Sequence, residues 1–302
     1  MPTWNEVLGE INRLAQVGPI DQVRRAYLAK LSEYTKRNTI AYYSGWLSLQ
    51  QPLPVLHISD EDKNAFMATI HNLDRSKGLD LILHTPGGNL AAAESIVDYL
   101  RRMFGRDIRA IVPQLAMSAG TMIACAASRI VMGKHSNLGP IDPQINGIPA
   151  SGVLEEFDKA IQEVKKDPAA IPIWNAIIGK YHPSFLGECK NAVDWSEKIV
   201  CDWLATGMFF KRRHARALAA RAVKTLSDRS ATLNHSRHLD IDYCIGAGLV
   251  VERLEEDKTL QDLVLTVHHA FMHTFGMSPA LKIVENNMGM AMVRLRSAPG
   301  QA

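Results

Sequence analysis

The sequence predicts an α/β fold, a parallel sheet covered by helices, and three observations carry that expectation. Short apolar runs alternate with runs of helical period between residues 79 and 132. Glycine and proline punctuate the joints between those runs. The chain has 302 residues, 47% hydrophobic and 22% charged, enough to bury one good core with appendages.

Taken in order, residues 4–36 place Val7, Ile11, Leu14, Val23, Tyr27 and Leu31 at helical spacing, with Gly18-Pro19 breaking the run into two helices. This arm is expected to pack on the core or on a neighbouring subunit. Thr39 to Leu49, rich in Tyr, Trp and Ile, reads as the first core strand. Asp60-Glu61-Asp62 opens a helix with carboxylates where the helix dipole favours them, running to about Leu73. Strand 79–84, helix 89–104, strand 107–113, helix 118–127 and strand 129–132 follow. Beyond Gln144 the pattern becomes helical: Gly152–Lys166 is amphipathic, Ile171–Ile178 apolar, and further helices are expected over 184–210 and 213–226. Residues 240–251 read as a short helix entering a last strand, and 259–290 as a C-terminal helical arm. The expected domains are an N-terminal helical arm (1–36), a core (37–256) with a helical insertion at about 150–226, and a C-terminal helical arm (257–302).

Two stretches organise this frame. Leu81 to Leu83 lead into Pro86-Gly87-Gly88, a turn with free backbone N–H groups, and then a helix from Leu90. Ile108 to Val112 lead towards Ser118, which heads a run of small residues, Ala119 to Ala127. A hydroxyl at a helix start, facing a Gly-Gly turn, suits a serine nucleophile beside an oxyanion hole. The plainer alternative makes Ser118 an N-cap and Gly87-Gly88 a turn and nothing more.

Pro86-Gly87-Gly88, Met117-Ser118-Ala119-Gly120-Thr121, Arg129-Ile130-Val131-Met132 and Leu138-Gly139-Pro140-Ile141-Asp142-Pro143-Gln144 occur in this order. Together they resemble the signal peptide peptidase A and ClpP-type serine peptidases of the ClpP/crotonase superfamily. Tyr42-Tyr43-Ser44-Gly45, His182-Pro183-Ser184, Cys189-Lys190-Asn191-Ala192, His235-Ser236-Arg237-His238 and His268 to His273 make the chain similar to the bacterial serine dehydrogenase proteinase family within that group. The resemblance implies a spiral of βα(β) units with a parallel sheet, plus N- and C-terminal helical arms. It also implies a serine peptidase with Ser118 as nucleophile and Gly88, Gly87 and Ala119 as oxyanion-hole residues. The serine dehydrogenase of the family's name is discounted, because no Gly-rich dinucleotide fingerprint is present.

The base is open. ClpP-type enzymes carry a histidine some two dozen residues past the serine, but Ile141-Asp142-Pro143 stands there, and His135 comes too early. A ClpP-like triad is therefore disfavoured. Signal peptide peptidase A uses a lysine from a Gly-x-Tyr-Lys segment, which Gly179-Lys180-Tyr181-His182 resembles. Lys180 would need desolvation to be neutral near pH 7, and the apolar run 171–178 could supply it. His182 would need no such shift. Lys159 is a third candidate, at the position of archaeal membrane-protease relatives.

Composition narrows the rest. The net charge of +3, with no dense basic patch and interleaved aromatics, argues against nucleic acid. The four cysteines, scattered and without a CxxC, read as core filler in a reducing compartment. The start at Met1 lacks a basic-then-apolar leader, and no apolar run of membrane-spanning length occurs. A cytoplasmic location is the expectation. His269 and His273 could share a metal at i and i+4, but without HExxH and with His235 and His238 far away, hydrogen-bonding or interface roles are preferred. The sequence thus leads to the expectation of a cytoplasmic serine peptidase of Ser-Lys or Ser-His kind, without cofactor or metal. It takes an extended or unfolded peptide near Gly87 and forms a closed homo-oligomer. The alternatives are an acyl-CoA enzyme of the crotonase branch, with Glu94 as its nearest acid/base candidate, and a non-catalytic assembly protein.

Overall fold

A computed structural model describes residues 3–15, 21–49, 53–228 and 234–296. Its strands are β1 (Asn38–Ser44), β2 (Leu79–His84), β3 (Ile108–Val112), β4 (Leu115–Ala116), β5 (Arg129–Met132), β6 (Asn137–Leu138), β7 (Gln144–Ile145), β8 (Ile148–Pro149), β9 (Val251–Arg253), β10 (Ala280–Asn286) and β11 (Ala291–Leu295). The helices are α1 (Trp4–Ala15), α2 (Gln22–Thr35), α3 (Glu61–Ile70), α4 (Leu90–Phe104), α5 (Ala119–Cys125), α6 (Ala150–Lys166), α7 (Ile171–Ile178), α8 (Phe185–Thr206), α9 (Ala215–Ser227), α10 (Ile241–Gly246) and α11 (Lys258–Met277).

A seven-stranded sheet, in the order β11-β10-β1-β2-β3-β5-β9, forms the centre. β1, β2, β3, β5 and β9 are mutually parallel, while β10 and β11 join antiparallel beyond β1. The fold is thus mixed α/β with a mostly parallel sheet. β1, β2 and β3 are buried at every position, as strands covered on both faces must be. Alternation sorts their side chains. Ile40, Tyr42, Leu81, Leu83, Ala110 and Ile130 pack with helices α3, α4, α5, α8 and α9. Ala41, Tyr43, Ile82, Ile111 and Val131 pack with Leu28 and Leu31 of α2 and Val264, Val267, Phe271 and Phe275 of α11.

One expectation changes here. The C-terminal arm is helical only to Met277; residues 280–295 form a β-hairpin that extends the sheet. Its strand β10 buries Lys282, Glu285 and Asn286, which breaks the alternation a sequence search relies on. The two arms also cover their own sheet. Arg24 and Arg25 of α2 both pair with the buried Glu285 of β10, the latter at 2.9 Å. Of the two packings expected for the N-terminal arm, core or neighbouring subunit, the described residues show the first, with Val7, Ile11, Val23, Leu28 and Leu31 buried within the chain. Gly18-Pro19, expected to separate the first two helices, lies outside the described residues.

All four cysteines are free thiols, three of them buried. Burial pushes the Cys125 thiol up to about 12. Among the described residues no helix is long and apolar enough to cross a membrane.

Candidate active site

The site forms where the two organising stretches meet, and Thr85 joins them. Its N–H donates to Leu115 O (3.0 Å) and its carbonyl accepts from Met117 N (3.0 Å). Its hydroxyl accepts from Gly87 N at 3.1 Å. Gly87 is pressed so closely on Ser118 that an added Cβ would lie 2.7 Å from both Met117 O and Ser118 Cβ. On its other side the turn is held by Ile58, whose N–H donates to Gly87 O (2.8 Å) and whose carbonyl accepts from Asn89 N (2.9 Å). A Cβ on Gly88, which has φ +155°, would collide with the Ile58 backbone. Glycine is required at both positions by close approach and by conformation.

Ser118 takes φ +51° and ψ −118°, outside the regions that L-residues normally occupy. Its side chain makes no cap hydrogen bond, so the plain N-cap alternative does not describe it. Its carbonyl accepts from Met122 N at 3.1 Å and so begins α5. The small residues that follow have a reason. Gly120 packs on Thr85, and Thr121 Oγ1 donates to Ala116 O (2.7 Å) while accepting from Gly139 N (2.8 Å). Residues held in such sparsely populated conformations cluster at active sites.

Ser118, Ala119 and Gly88 line one cleft of about 520 Å³, together with His57, Leu90, Met122, Ile141, Trp195 and His235. Among the described residues, the N–H of Gly88 has no acceptor. Ala119 N–H, at the first helical position, is one of the donors every helix start leaves free. Gly87 N–H is committed to Thr85, so the structure leaves two of the three expected hole donors available.

The expected base candidates do not reach this cleft. Lys180 and His182 are exposed and lie at the end of α7, where His182 Nδ1 is 2.8 Å from Pro183 O. The apolar run before them does not desolvate Lys180, since Ile171 and Ile173 are themselves exposed. Lys159 is 67% exposed and faces Glu163 at 3.7 Å. Glu94 is not among the cleft residues. His84 is fully buried, its ring tilted against those of Tyr43 and Trp46 and edge-on to His268. Burial lowers its pKa to about 3. His273 Nε2 is 3.1 Å from Trp4 O, and both His269 and His273 pack on the Trp4 ring. Among the described residues no three His, Cys, Asp or Glu side chains are grouped to hold a metal ion.

One pair was missed from sequence. His235 Nδ1 lies 2.8 Å from Asp142 Oδ1, and Asp142 is 3% exposed. The loop reaches Asp142 through a reciprocal pair of backbone bonds, Leu138 N to Leu239 O (2.9 Å) and Leu239 N to Leu138 O (2.8 Å). Asn234 Oδ1 accepts from Ser236 N (2.9 Å) and turns the loop at His235. Asp142 in turn follows Ile141, whose N–H donates to Leu226 O (3.2 Å) and whose carbonyl accepts from Ser196 Oγ (2.9 Å). Only the residue types gave a hint, an aspartate at the ClpP-like position and a histidine in a loop.

A mostly parallel α/β sheet with a strained serine beside the free N–H of Gly88 is the arrangement of a ClpP-like scaffold. The chain belongs to the ClpP-like SDH-type serine proteinases, whose family model matches residues 21–183. It is also similar to two uncharacterised proteins of Methanocaldococcus jannaschii. MJ0137 is 39% identical over 112 residues, 37% of each chain. MJ1495 is 36% identical over 110 residues, 36% of this chain and 37% of its own. The chain thus spans little more than a third of the length of these relatives.

Proposed function

We propose that this protein hydrolyses peptide bonds through an acyl-enzyme on Ser118. The observation that carries the reading is the strained, uncapped Ser118 facing the free N–H of Gly88 across one cleft. The substrate carbonyl places its oxygen between the N–H groups of Gly88 and Ala119, and Ser118 Oγ attacks the carbonyl carbon. Donors already aimed at the developing oxyanion need no reorganisation, and removing one such donor typically costs about 100- to 1,000-fold in kcat. The C–N bond then breaks, the amine leaves, and water hydrolyses the ester.

The substrate in this reading is an extended segment of peptide or unfolded protein, able to enter a cleft walled by Leu90, Met122, Ile141 and Trp195. The cytoplasm is the compartment, in keeping with free thiols. A homo-oligomer belongs to the same proposal, and exposed Ile161, Ile173 and Leu186 on the helical insertion give it apolar surface. Light scattering reads the mass directly. The acyl-CoA alternative is weaker, because Glu94 does not line the cleft.

A fluorophosphonate probe tests the reading. The wild type should label at Ser118, mapped by peptide mass, and Ser118→Ala should neither label nor cleave an unfolded protein. Cleavage by the pure alanine variant would overturn the assignment.

A further inference from the structure

We infer that His235 is the general base of Ser118 and that Asp142 is its positioning partner. The inference rests on the peptidase reading above. It replaces the lysine or His182 base with a pair drawn from two distant parts of the chain.

Three observations converge on it. His235 and Ser118 line the same cleft, whereas Lys159, Lys180 and His182 do not. The carboxylate of Asp142, 3% exposed, accepts from His235 Nδ1 at 2.8 Å. That bond places the proton on Nδ1 and leaves the Nε2 lone pair as acceptor, the tautomer a base requires. Finally, the pair is built rather than incidental. Asp142 is anchored through the doubly bonded Ile141, and the His235 loop is anchored through Leu239 and turned by Asn234. The chain order is serine, aspartate, histidine. Asp142 stands where the ClpP pattern would put histidine, and the histidine comes from the loop before α10.

The proton accounting closes. As Oγ of Ser118 bonds to the substrate carbonyl carbon, its proton passes to Nε2 of His235. The imidazolium is stabilised by Asp142 and gives that proton to the leaving nitrogen as the C–N bond breaks. A water then donates a proton to Nε2 while its oxygen attacks the ester, and the imidazolium returns the proton to Ser118 Oγ as the ester bond breaks.

The experiment compares full-length wild type, His235→Ala, Asp142→Asn, and the Lys180→Ala/His182→Ala double variant. Their fluorophosphonate labelling rates are read with peptide cleavage and melting temperature. Wild type and the double variant should label at the same rate. His235→Ala should label and cleave at least 100-fold more slowly, within the usual contribution of a general base. Added imidazole should restore part of that loss, which a merely structural histidine would not allow. Asp142→Asn should retain the fold and lose kcat with little change in KM, because an amide can hold the wrong tautomer. If His235→Ala labels at the wild-type rate while wild type labels at Ser118, the base assignment is overturned and the peptidase reading stands. So it is if the loss is large but imidazole rescues nothing and Asp142→Asn is silent. If folded wild type neither labels nor cleaves, the peptidase reading fails and the base assignment with it.

Discussion

The buried Lys282–Asp62 pair holds the backbone of His57, a cleft residue, and its removal has a magnitude that the contacts define. Lys282, 2% exposed, donates to His57 O (2.7 Å) and to Asp62 Oδ1 (2.9 Å) and Oδ2 (3.0 Å). Asp62 also accepts from Tyr42 OH (2.8 Å) and Ser59 N (2.9 Å). Desolvation lowers the Lys282 ammonium from its ordinary pKa, and Asp62 opposes that fall. The network holds residues 57–59, the segment whose Ile58 clamps Gly87 and Asn89. Lys282→Met leaves the Asp62 carboxylate buried with two donors, and breaking such a pair from one side costs about 3–5 kcal/mol. Asp62→Leu strands the ammonium. The stranding is bounded at about 5 kcal/mol, because a lysine can neutralise instead, at about 1.4 kcal/mol for each unit from its ordinary pKa of about 10.4 down to pH 7; the same substitution also orphans Tyr42 OH and Ser59 N–H. The double variant strands no charge. It orphans Tyr42 OH and Ser59 N–H, at about 1–3 kcal/mol each, as Asp62→Leu alone does, and leaves His57 O without its Lys282 donor, as Lys282→Met alone does. The orphaned groups enter a single variant and the double alike and cancel in the cycle, which leaves the stranded charges as the coupling, on the order of 4 kcal/mol. Urea unfolding of all four proteins measures it, with slopes compared to check two-state behaviour. Additive single losses, with coupling below about 0.5 kcal/mol, would refute the reasoning.

Other outcomes follow from the same geometry. Ser118→Gly should raise stability by about 1–2 kcal/mol by relieving φ +51°, while Ser118→Ala stays near neutral; both should lose probe labelling, and melting curves separate them. Gly88→Ala should cost more than about 2 kcal/mol and abolish cleavage, since its Cβ meets the Ile58 backbone; a stable, active variant would show that the turn yields. Stability should also fall in acid because of the buried histidines. His84 is held to about 3 and His268 well below its ordinary value by burial, so the unfolded chain binds more protons below about pH 6.5. Each group then removes up to about 1.4 kcal/mol per pH unit as pH falls from about 6.5 towards its folded value. Unfolding measured against pH should flatten in His84→Leu if that group carries its share.

The sequence by itself determined the alternating core and the two turns that meet at Ser118. Strand periodicity, the Pro86-Gly87-Gly88 turn and the small-residue helix after Ser118 are local signals, written within a few residues of what they specify. Lys180, read on the same local terms, lies outside the cleft. Its apolar neighbours in sequence suggest burial, yet α7 presents Ile171 and Ile173 outward. The hairpin β10–β11 escaped notice because its buried lysine, glutamate and asparagine read as a surface until Asp62, Arg24 and Thr69 are there to receive them. Tertiary structure alone decided those pairings. Asp142 and His235 are 93 positions apart and Asp62 and Lys282 are 220 apart. No local period encodes such meetings. They exist because the Leu138–Leu239 backbone bridge and the β1–β10 pairing bring polar groups together where water is excluded, and there each must find a partner.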